Sequence, residues 1–129
     1  MRLLPTSARS QNDQGGKHTL TINTLRQFGA NVQDGLTRCL NDEGFYLEMV
    51  QMALDEKTYK KLSDAIGSGD IKAVFEAAHA LKGVLANVAL TPLYDVASEI
   101  TELSRSGQDA DYPAKLEKIM RLRGELIAL

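Results

Sequence analysis

The sequence predicts an all-α fold, an antiparallel four-helix bundle with a short additional N-terminal helix. Three observations predict it. Apolar residues recur at three- and four-residue spacing along most of the chain. The breaks between these runs carry Gly, Asn, Asp and Pro where helices start and stop. Nowhere does the two-residue alternation of a half-buried strand appear. Four long amphipathic helices joined by short loops can bury their apolar stripes only against one another, which is the logic of a bundle.

Residues 1–19, MRLLPTSARSQNDQGGKHT, are rich in Ser, Gln, Asn and Gly and have no periodicity. They read as a flexible tail ahead of a helical domain over residues 20–129, with His18 a solvated side chain. Ile22, Leu25 and Phe28 mark a short helix that Gly29 ends. Asn31 caps the next, whose apolar set is Val32, Leu36, Cys39 and Leu40, so Cys39 is expected to face a core rather than to react. From about Glu43, Tyr46, Met49, Val50, Ala53 and Leu54 precede a polar join at Asp55 and Glu56, and Tyr59, Leu62, Ala65 and Ile66 follow it. This is one long helix or two consecutive ones. Lys57, Lys60 and Lys61 on it form a basic cluster that reads as a solvated face. The run Gly67 to Asp70 ends the element, and Asp70 is the expected N-cap of a helix from about Ile71 to Ala89. A further helix from about Pro92 to Arg105 turns Leu93, Val96, Ala97, Ile100 and Leu103 to one side. The last, from about Asp111, carries Leu116, Ile119, Leu122 and Leu126.

The chain has 129 residues, 43% hydrophobic and 25% charged, within the ordinary range for one globular domain. A net charge of -2 gives no global field to attract nucleic acid or an anionic membrane. One cysteine cannot form an internal disulfide, and with two histidines it falls short of a structural zinc set. No metal or cofactor is expected. No segment approaches the roughly 20 apolar residues of a membrane span, and the N-terminus lacks the apolar run of a signal peptide. The expectation is a cytoplasmic, monomeric protein that recognises its partners locally.

The stretch FEAAHALKG, Phe75 to Gly83, draws attention because glycine in a helix interior costs roughly 1 kcal/mol relative to alanine. On this helix Val74, Ala78, Leu81, Leu85 and Val88 form the inward seam. At about 100° per residue, His79 lies roughly 140° from the seam centre and Gly83 nearly opposite it. An exposed neutral imidazole keeps one nitrogen lone pair free and can act as a nucleophile. Were it to carry a phosphoryl group, Lys82 at i+3 would supply ammonium donors to the oxygens. Gly83 and Ala86 would clear space for a partner's acceptor group, since in-line transfer depends mainly on positioning. Lys72, Phe75 and Glu76 share or border the same face and are candidate docking residues.

The segment AHALKGVLANVALTPL resembles the signature of histidine-containing phosphotransfer (HPt) domains, Ala-His-x-Leu-Lys-Gly followed by small and apolar residues and a later leucine. Ala78, His79, Leu81, Lys82, Gly83, Asn87 and Leu93 fall where that pattern has them, and the similarity extends from about Thr21 to the C-terminus. Two positions depart from it. Ala89 stands where the family usually has glycine, although alanine disfavours the left-handed helix-ending conformation, and Ile100-Thr101 stands where a Leu-Glu pair is common. The resemblance implies a phosphorelay intermediate in two-component signalling. His79 would exchange a phosphoryl group with aspartates of response-regulator receiver domains, downstream of a sensor histidine kinase. Lys82 would steady the phosphate and Gly83 would give access. It implies a carrier rather than an enzyme, with magnesium and the acceptor carboxylate in the receiver. Consistently, no glycine-rich run ending in Gly-Lys-Ser or Gly-Lys-Thr is present. Two other readings compete: a receiver-binding module that no longer transfers phosphate, and the phospho-accepting domain of a larger chemotaxis-type histidine kinase.

Overall fold

A computed structural model describes residues 20–129 of the protein; the expected tail, and His18 with it, lie outside the described residues. Seven helices follow one another among the described residues: α1 Ile22–Phe28, α2 Val32–Arg38, α3 Glu43–Ala53, α4 Glu56–Ser68, α5 Ile71–Asn87, α6 Thr91–Arg105 and α7 Tyr112–Ala128. No strand occurs among the described residues. The last four form a closed ring, α4 packing on α5, α5 on α6, α6 on α7 and α7 back on α4. The three short helices precede this bundle, and α1 reaches across to α7.

The helix boundaries follow from capping. The Thr21 side chain accepts from the Thr24 N–H and Thr24 answers at the Thr21 N–H, a reciprocal box that opens α1. Gly29 closes it at φ 104°. Asn31 caps α2 by accepting from the Asp34 N–H, as expected. The stretch from Glu43 resolves into two helices. The Asp55 carboxylate accepts from the Lys57 N–H and starts α4 afresh, and α3 stops at Ala53. Its terminal carbonyls are taken up by other elements: the Tyr59 hydroxyl donates to the Ala53 oxygen and Arg123 Nε to the Leu54 oxygen. Asp70 opens α5 by accepting from the N–H groups of Lys72 and Ala73.

The core joins the expected seams: Val50, Tyr59, Leu62, Val74, Ala78, Leu81, Leu85, Leu93, Ile100, Ile119 and Leu126 are all buried. Cys39 is buried among them, and burial pushes its thiol pKa up. Leu40 is a correction. Expected on the apolar face of α2, it is 84% exposed because the helix ends at Arg38 and Leu40 takes a positive φ of 62°, which swings it out of register. Lys57, Lys60 and Lys61 are exposed, and Lys60 pairs with Asp64.

Ala89 does take the left-handed conformation, with φ 55°, that a glycine would reach more easily. An L-residue there costs about 1 kcal/mol. What holds it is tertiary: Ala89 is buried, and its carbonyl accepts the Asn31 N–H at 2.9 Å. That bond ties the α5–α6 turn to the cap of α2. Beside it the Tyr46 hydroxyl donates to the Val88 carbonyl at 3.0 Å. Thr101 points inward and donates to the Ala97 carbonyl at 2.7 Å, so a polar group inside the bundle is satisfied within its own helix.

Candidate functional site

The expected seam of α5 decides what the helix leaves outside. With Val74, Ala78, Leu81, Leu85 and Val88 buried, His79 and Gly83 are exposed, as are Lys72 and Glu76. Phe75, Lys82 and Ala86 lie on the flank and are half-buried. The 3.6-residue repeat sorts them: the half-buried three sit roughly 80–120° from the seam centre, the exposed four between roughly 140° and 200°. A Cβ added at Gly83 would meet nothing within 4 Å. The space beside His79 is open.

Two contacts define the geometry on this face. The imidazole of His79 is stacked on the Phe75 ring one turn earlier, with centroids 5.5 Å apart and planes 15° from parallel. Lys82 leans across toward α6, its side chain only 24% exposed, and its Nζ lies 3.6 Å from Glu102 Oε2. No described residue hydrogen-bonds to the imidazole.

Helix α6 brings in two residues that the sequence reading did not assign to the site. Glu102 meets Lys82 on one side and Arg105 on the other, with Arg105 Nε 3.4 Å from Glu102 Oε1. The Arg105 guanidinium lies 5.0 Å from the centre of the Phe75 ring, within cation–π range. A continuous path of contacts therefore runs from His79 to Phe75, Arg105, Glu102 and Lys82. The signal for it was faint: Glu102 and Arg105 are three residues apart on an amphipathic helix, but nothing in sequence says that their turn packs beside that of His79.

Past Ala86 the same face runs into a shallow groove of about 280 Å³ between α2, the end of α5 and the start of α6, lined in part by Asp34, Arg38, Ala86, Tyr94 and Asp95. The Arg38–Asp34 pair, 3.0 Å apart, sits on it. Among the described residues no group of histidine, cysteine, aspartate and glutamate side chains is placed to hold a metal ion, and no helix is long and apolar enough to cross a membrane.

A family model described as the Hpt domain matches residues 46–129, a span that takes in α5 and α6 with His79, Lys82, Gly83, Glu102 and Arg105. The chain belongs to the Hpt domain family. Hpt domains are phosphotransfer modules of two-component signalling, carriers rather than enzymes, that work with histidine kinases and response regulators. Neither the curated proteins nor the solved structures compared with the chain give a match.

Proposed function

We propose that the protein is a phosphorelay intermediate in which His79 carries the phosphoryl group. In the accepting step a ring nitrogen attacks the phosphorus of a receiver's aspartyl phosphate. A P–N bond forms, the P–O bond breaks, and the carboxylate leaves with the bonding pair while the proton on the other ring nitrogen passes to water. The donating step is the reverse, toward the aspartate of a second receiver. Magnesium and the carboxylate belong to the receiver, and a sensor kinase stands upstream.

The observation that carries this reading is the open space over Gly83 beside an exposed imidazole. Phosphoryl transfer is governed by positioning, and a receiver must bring its carboxylate in line with the P–N bond. Lys82 is near enough in the helix to meet the phosphoryl oxygens, one turn from His79. Phe75, Lys72, Glu76 and Ala86 surround the approach and form the contact surface. A small interface of this kind suits a transient partner, and the protein works as a monomer in the cytoplasm.

The test is transfer of labelled phosphate from a phosphorylated receiver domain to the purified protein, comparing wild type with His79→Gln and with ATP alone. Acid-labile, base-stable label that requires both His79 and the receiver is the expected result. Binding of the receiver without label would identify a non-transferring module instead, and label from ATP alone would contradict the relay.

A further inference from the structure

Lys82, one turn from His79, and Arg105, across on α6, share one carboxylate. Glu102 lies 3.6 Å from Lys82 Nζ and 3.4 Å from Arg105 Nε, and Arg105 rests on the ring against which the imidazole is stacked. Glu102 itself is 57% exposed. It stands on α6, whereas His79 and Lys82 stand on α5. Its position has a consequence only once a second anion arrives.

We propose that Glu102 is a positioning residue that competes with the phosphoryl group for Lys82 and Arg105 and so limits how long the phosphohistidine persists. This inference rests on the reading of His79 as the acceptor. A phosphoryl group on the imidazole places charged oxygens on the same face. To meet them, Lys82 and Arg105 must loosen their contacts with Glu102, because an ammonium or guanidinium serving one anion serves the other less well. The resting ion pairs therefore oppose charging of the histidine. They also favour its discharge, since passing the group to a receiver lets both cations return to the carboxylate. A carrier gains from such a device: an acceptor whose cations were unengaged would hold its cargo too firmly to hand it on.

The charge inventory of the site supports this balance. Lys72, Glu76 and Lys82 share the outer face and flank of α5 with His79, and Glu102 and Arg105 of α6 reach that face through Lys82 and Phe75. Glu102 is the carboxylate in contact with both flank cations, so removing its charge frees both at once. Glu99 on α6 is engaged elsewhere, with Lys115 of α7 at 3.0 Å.

The experiment uses the full chain and phosphoramidate, which labels histidine without a receiver: the ring nitrogen displaces ammonia from phosphorus, and the imidazole proton leaves on it as ammonium. Half-lives of the phosphohistidine are compared in wild type, Glu102→Gln, Lys82→Gln/Arg105→Gln and the triple variant. Glu102→Gln is expected to lengthen the half-life about two- to fivefold, the scale of exposed ion pairs. That gain should vanish in the background lacking both cations, as it must if the carboxylate acts through them. An unchanged or shorter half-life in Glu102→Gln overturns the inference while leaving His79 as acceptor, and so does a gain that survives without the cations. Failure of wild type to form any phosphohistidine at position 79 overturns the acceptor reading and this inference together.

Discussion

The imidazole of His79 lies on the ring of Phe75, nearly parallel to it, at 5.5 Å between centroids. The two residues are one helical turn apart, so the backbone of α5 alone brings them to one side. The stack narrows the rotamers open to an exposed side chain that would otherwise sample several. Arg105, on the other helix, then holds Phe75. Orientation of the His79 ring thus depends on a residue with no reactive group of its own.

Phe75→Ala is expected to slow phosphoryl transfer several-fold while costing the fold little, because Phe75 is only half-buried. An aromatic pair contributes about 0.5–1.5 kcal/mol beyond its area, enough to change the fraction of imidazole held in the productive pose. Transfer kinetics with a receiver, set beside thermal unfolding, separate the two effects. Wild-type kinetics in this variant would show that the stack is incidental.

Gly83→Ala is expected to move stability and function in opposite directions. The position is mid-helix with open space around it, so a methyl group meets no clash and unfolding free energy should rise by about 0.5–1 kcal/mol. If the receiver comes over Gly83 as proposed, the same methyl intrudes on its approach and Gly83→Leu intrudes more, so the transfer rate should fall from Gly to Ala to Leu. Denaturant titration and receiver-dependent labelling measure the pair. Equal rates in all three would mean that the partner does not come over Gly83.

The inward and outward faces of α5 were legible in the sequence because they depend only on helical periodicity, a local property. Val74, Ala78, Leu81, Leu85 and Val88 repeat at four and three, and burial follows. Asn31 and Asp70 were legible as caps for the same reason. Glu102 and Arg105 were not, since their nearness to His79 is set by how α6 lies against α5, which no single helix encodes. Leu40 misled for a related reason: the pattern continues past Arg38, but the backbone turns left-handed at Leu40 and Asn41. Gly35 carried no visible role either, although its lack of a side chain proves essential to the packing of a residue in the next helix.

That residue is Tyr46. A Cβ on Gly35 would collide with the Tyr46 ring, its Cε1, Cζ and hydroxyl all far inside contact distance. The ring cannot retreat freely, because it is fully buried and its hydroxyl is spent on the Val88 carbonyl. Gly35→Ala should therefore destabilise the protein by about 1–3 kcal/mol, the usual cost of overpacking, and loosen the α5–α6 turn that Val88 and Ala89 form. Chemical denaturation gives the magnitude. Tyr46→Phe, which keeps the shape and removes the bond, should cost about 1 kcal/mol.

Alkaline stability tests the same burial from another side. Burial of Tyr46 and Tyr59 pushes the pKa of each phenol up from 10 to about 12, because a phenolate inside the bundle would lose its hydration. The folded state thus holds its phenolic protons where the unfolded chain has begun to release them. Stability from these groups is complete below pH 10, declines as the pH rises through the interval from 10 to about 12, and is gone above it. About 3 kcal/mol should be lost for each ring across that window. Unfolding free energies measured at intervals from pH 9 to 12 should bend downward near pH 10, and in Tyr46→Phe the bend should be shallower, since one of the two titrating groups has been removed. A curve of unchanged slope in that variant would mean that the Tyr46 phenol ionises as readily in the folded protein as in the unfolded one.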